Sequence, residues 1–84
     1  MNSNIEFIRE HGKSIMSVLR NSKLSGDRLQ QRCSLMRKNF KSQEDKDKLD
    51  EIEMKMMDIM KTTGKRQFSE DEIDIIIRQT LGIE

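Results

Sequence analysis

Apolar residues recur every third or fourth position along almost the whole chain, and serine or glycine stands wherever that rhythm breaks. This period belongs to helices that bury one face, so the chain reads as all-α. In the first block Ser3 and Glu6 fit a capping box. Ile5, Ile8, Ile15, Met16 and Leu19 share one face there, with Phe7, His11 and Val18 along a flank. The spacing predicts a helix over 3–21. Gly12 falls in the middle of its apolar face, where alanine would favour the helix more, and is expected to mark close approach by another backbone. Asn21-Ser22-Lys23 interrupts the pattern, Ser25 can cap a second helix over 26–40, and Leu24 and Leu29 suit a staple across that cap. The seam of this helix is narrow: Leu29, Cys33, Met36 and Phe40.

Ser42 caps a third helix, expected over 43–63. Its opening acids Glu44, Asp45 and Asp47 match the positive end of the helix dipole, and Gly64 suits its C-terminal stop. Leu49, Ile52, Met56, Ile59 and Met60 form its stripe. The strongest local signal is Phe68-Ser69-Glu70-Asp71-Glu72-Ile73, where a capping box and a Phe68/Ile73 staple open a fourth helix over 70–81. Ile73, Ile76, Ile77 and Leu81 face inward, and Gly82 ends it. The β-branched run Ile75-Ile76-Ile77 could make a strand, but the cap before it and the glycine after it favour a helix. Connections of two to six residues make consecutive helices neighbours. The expected architecture is therefore a compact four-helix arrangement in a single domain, 1–84, or an extended one completed by another copy. Residues 61–67 are the longest candidate joint.

At 84 residues, with 33% apolar side chains and no proline or tryptophan, the chain is near the lower limit for standing on one hydrophobic core. Multi-domain enzymes are excluded. The opening residues show no secretory signal, no apolar run approaches the ~20 residues of a membrane span, and the single cysteine allows no internal disulfide, so a cytoplasmic location is expected. The formal charge of +1 hides +6 over residues 1–41 against −5 over residues 42–84. The halves either neutralise one another or each meets a partner of opposite sign.

Catalytic chemistry has little to stand on. His11 has no carboxylate assignable by spacing and is expected to be a boundary histidine; Cys33 sits on a seam and reads as a small buried apolar residue. One cysteine and one histidine do not make a zinc site by themselves, no calcium loop is present, and neither Gly-Lys pair has the frame of a phosphate loop. No catalytic residue, metal ligand or cofactor is assigned from the sequence.

The basic second helix carries Arg28, Arg32, Arg37 and Lys38, whose forks and ammonium suit carboxylate or phosphate. The acidic helices of this same chain are one open target, and an acidic protein partner is the favoured one. A nucleic acid or small anionic nucleotide bound through 26–41 is the alternative, weakened by the absence of Tyr and Trp stacking platforms and by the acidic start of the following helix. Methionines cluster at Met54, Met56, Met57 and Met60. Met54 points away from the core stripe, as does Ile75 on the fourth helix, so Met54, Met57 and Ile75 are candidates for self-association.

The stretch Ile5-Glu6-Phe7-Ile8-Arg9-Glu10-His11-Gly12-Lys13-Ser14-Ile15-Met16, followed by Asn21-Ser22-Lys23-Leu24-Ser25-Gly26, resembles the small rapid-lysis III accessory proteins of T-even-type bacteriophages. The resemblance implies a non-enzymatic regulator of lysis timing in the host cytoplasm, binding the cytoplasmic part of a membrane-embedded holin to delay lysis. It carries over no functional residues. The residue pattern and the resemblance both lead to a cytosolic helical binder acting by protein–protein contact, and the residue pattern adds the expectation of a homo-oligomer.

Overall fold

The computed structural model describes residues 3–83 and contains four helices: α1 (Ser3–Leu19), α2 (Gly26–Arg37), α3 (Gln43–Thr63) and α4 (Glu70–Leu81). Each of α2, α3 and α4 begins at the expected serine. Ser25, Ser42 and Ser69 have extended backbones, and each side chain accepts the N–H of the residue three positions on. That exchange satisfies donors that the first helical turn otherwise leaves without partners. At Ser69 the box is complete, because Glu72 accepts in return from the Ser69 N–H at 2.9 Å. Gly64 and Gly82 end α3 and α4 in the left-handed conformation.

Two helices are shorter than the spacing predicts. Asn21 has φ 53 and stops α1, and beyond Arg37 the chain tightens, Asn39 N donating to Met36 O and Phe40 N to Arg37 O. Phe40 is nevertheless buried, carried inward by that turn.

The helices pack in a ring: α1 touches α2 and α4, and α3 touches the same two. The radius of gyration is 11.9 Å, against ~12 Å expected for a chain of this length folded on itself. Between the two architectures left open by the sequence, the structure takes the one with α4 packed on its own chain. The core is built from Phe7, Ile15, Leu19, Leu24, Leu29, Cys33, Met36, Phe40, Leu49, Ile52, Met56, Met60, Phe68, Ile73, Ile76 and Ile77. Both members of each expected staple, Leu24/Leu29 and Phe68/Ile73, belong to it.

In α1 the buried stripe is turned from the expected face. Phe7, Gly12, Ile15 and Leu19 are inside, while Ile5 is exposed. Phe7 has the larger apolar surface, and it finds Phe40 edge-on at 5.8 Å. Gly12 marks no close approach of another backbone: a Cβ there would meet only Ile8 of its own helix, at 3.5 Å.

Of the expected joint 61–67, residues 61–63 belong to α3, and residues 66–68 are held to the chain between α1 and α2. Asn21 N donates to Phe68 O at 2.7 Å, Leu24 N to Arg66 O at 2.8 Å, and the Gln67 amide to Asn21 O. At the far end Asn4 Nδ2 donates to Leu81 O, joining the start of α1 to the end of α4.

Candidate functional site

The four basic residues of the second helical segment divide into two kinds. Arg32 turns toward α1, its Nη1 donating to Val18 O at 2.7 Å and to Ser22 Oγ at 2.8 Å. Val18 contributes one of the last carbonyls of α1, which have no partner within the helix. Arg37 turns the other way, toward α3, its Nε lying 3.1 and 3.3 Å from the two Asp50 oxygens. Arg28 and Lys38 are exposed and pair with no carboxylate among the described residues. Arg28 makes only a 3.4 Å contact with Lys23 O. Ten residues of helical rise set these two cations about 15 Å apart.

Between them on the outer side of the segment stands Leu35, 59% exposed. Sequence reasoning missed it; the signal was present, since Leu35 lies well off the Leu29/Cys33/Met36 seam on the same helix.

The three self-association candidates do not share a patch. Met54 is 71% exposed on the outer face of α3. Met57 is half-buried and leans on the start of α2, its sulfur 3.4 Å from where a Gly26 Cβ would stand. Ile75 is exposed on α4, in a shallow apolar cleft with Ile59 of α3, Phe68 and Ile76. Lys65 rims that cleft, its Nζ 5.5 Å from the Phe68 ring and 2.7 Å from Glu72.

Cys33 is 1% exposed. Burial pushes its thiol up to about 12, with the nearby Glu53 carboxylate adding to the rise, so the group stays protonated and unreactive near neutrality. Glu53 is itself raised, chiefly by burial.

His11 has the carboxylates that spacing could not assign. Its Nε2 lies 3.3 Å from Asp45 Oδ2 on α3 and 3.6 Å from Glu10 Oε2. The ring stacks on Phe40 at 4.0 Å with a 21° interplanar angle and tilts against Phe7 at 5.2 Å.

The chain matches no protein-family model, no curated protein and no solved structure. The surface chemistry therefore carries the functional reading. No helix among the described residues is long and apolar enough to cross a membrane.

Proposed function

We propose that this protein is a small non-enzymatic regulator that works by gripping another protein with the outer face of its second helical segment, Arg28, Leu35 and Lys38. The observation that supports this most directly is the exposed Leu35 lying between two cations that pair with no carboxylate among the described residues. Phosphate would be met by the cations alone and would gain nothing from a leucine. An amphipathic, acidic protein segment satisfies both. Arg32 and Arg37 are committed to α1 and α3 and are left out of the contact.

The resemblance of the opening segment to rapid-lysis III proteins supplies a partner, the cytoplasmic part of a phage holin, and with it a cytoplasmic role in delaying lysis. Self-association is part of the same proposal, with Met54 and Ile75 as separate apolar contacts.

Binding of the full-length protein to a fluorescent peptide from the holin's cytoplasmic segment tests the proposal. The double charge reversal Arg28→Glu with Lys38→Glu, and separately Leu35→Ser, should each weaken binding at least tenfold while far-UV circular dichroism stays helical. Unchanged binding in both variants rejects the face. Retained affinity for DNA or RNA that falls log-linearly with salt would instead establish the nucleic-acid alternative.

A further inference from the structure

We propose that Glu10, His11 and Asp45 form a site for a borderline divalent transition-metal ion, with Zn²⁺ the best fit, that clips α1 to the first turn of α3. One ligand atom from each of the three side chains lies within 4.8 Å of the others. Bonds of about 2.0–2.2 Å at a tetrahedral angle set neighbouring ligand atoms about 3.3–3.6 Å apart. The two separations from His11 Nε2 are 3.3 Å to Asp45 and 3.6 Å to Glu10. The second of these is too long for a hydrogen bond, yet it equals an edge of a zinc tetrahedron.

Two of the three ligands are already held. The His11 ring is 18% exposed and clamped by Phe40 and Phe7. Asp45 is 24% exposed, on a residue whose backbone N–H donates to the Ser42 cap. Glu10 is 67% exposed and free to swing the remaining distance. His11 also borders an open cleft lined by Ser14, Ser17 and Asn39, which admits water to a remaining coordination position. The nearby cations do not occupy the place: Lys48 is turned to Glu44 and Ser3, and Lys13 lies along the cleft. One imidazole with two carboxylates selects a borderline ion over Mg²⁺ or Ca²⁺, which prefer oxygen alone. Cys33 and His11 alone do not make a zinc site; the fold adds the carboxylates of Glu10 and Asp45 to the imidazole.

Since α1 and α3 face each other across the ring, an ion here would strengthen a direct link that otherwise rests on side chains such as Lys48 donating to Ser3 Oγ. The untagged full-length chain, stripped with chelator, can be titrated with Zn²⁺ by calorimetry and with Co²⁺ by visible absorption. One ion per chain is expected, with a raised melting temperature, and Mg²⁺ at the same concentration should not compete. Loss of a supporting partner alone weakens metal sites about 10–100-fold, so Asp45→Asn and Glu10→Gln should each raise the dissociation constant at least tenfold. His11→Gln should abolish the tetrahedral Co²⁺ bands. Because His11→Gln also removes a stacked ring, Asp45→Asn with unchanged circular dichroism is the deciding variant. Zn²⁺ uptake equal in Asp45→Asn and the parent chain, or no saturable uptake by the parent chain, overturns the site.

Discussion

Replacing Arg32 by leucine separates the arginine that builds the fold from those left for a partner. Leucine keeps an apolar stem but removes both donors, leaving Val18 O and Ser22 Oγ without them. Hydrogen bonds from a charged donor contribute about 1.5–3 kcal/mol each. Arg32 is only partly buried, so water can replace some of what is lost, and the pair together is worth about 2 kcal/mol. For a domain of this size 1 kcal/mol corresponds to about 4–8 °C, so Arg32→Leu should melt about 8–16 °C below the parent in a circular-dichroism scan. Arg28→Leu removes an exposed 3.4 Å contact and should stay within about 0.5 kcal/mol, or about 4 °C. Equal losses in the two variants, or none at Arg32, would refute the division. The result also governs how binding experiments are read: a charge reversal at Arg32 reports on folding as well as on partner capture, whereas one at Arg28 or Lys38 reports on capture.

Five further outcomes follow from the structure. Gly12→Ala should stabilise the protein by about 0.5–1 kcal/mol, because the new methyl group meets only Ile8 at ordinary contact distance; a lower melting temperature would mean that α1 packs more tightly there. Ser69→Ala should cost about 1 kcal/mol in denaturant unfolding, with loss of the reciprocal Ser69/Glu72 exchange. Two carboxylates should tilt the pH profile in opposite directions. The Lys65 ammonium and the Ser69 N–H hold Glu72 below the ordinary carboxylate range, so its contribution is present above that range and is lost as pH falls; Glu72→Gln should flatten the acid limb. Burial raises Glu53, whose contribution is present at low pH and is lost as pH rises through its folded value; Glu53→Gln should gain on the parent toward neutrality and not in acid. Finally, Cys33 should resist alkylation in the native state near neutrality and react fully in denaturant, and rapid native labelling would contradict its burial.

The helices were legible because their boundaries are local chemistry. Ser25, Ser42 and Ser69, with Gly64 and Gly82, act on backbone groups within four residues of themselves, and nothing distant alters their preference. The rotation of α1 was less legible. Ile15 and Leu19 belong to the buried stripe either way, and it can be widened toward Ile5, Ile8 and Met16 on one side or toward Phe7 on the other. Only the ring of Phe40, waiting on another segment, decides between them. The same holds for the arginines, since period alone places Arg28 and Arg32 on one flank. The unpartnered carbonyl of Val18 draws one of them inward and leaves the other outside.

The surroundings of His11 were within reach of a further step. Two helices joined by a short turn run antiparallel, so residues equally distant from a turn near Ser25 lie opposite each other. The structure has two such pairs, Val18 with Arg32 and His11 with Phe40. Once His11 is set against Phe40, the nearby Ser42 cap becomes decisive, because it starts α3 beside the same ring and sets Asp45 in its first turn. The 34 positions between His11 and Asp45 hide the pairing from any spacing rule. A hairpin register and a helix cap, each readable on its own, together bring an imidazole and a carboxylate into contact across the fold.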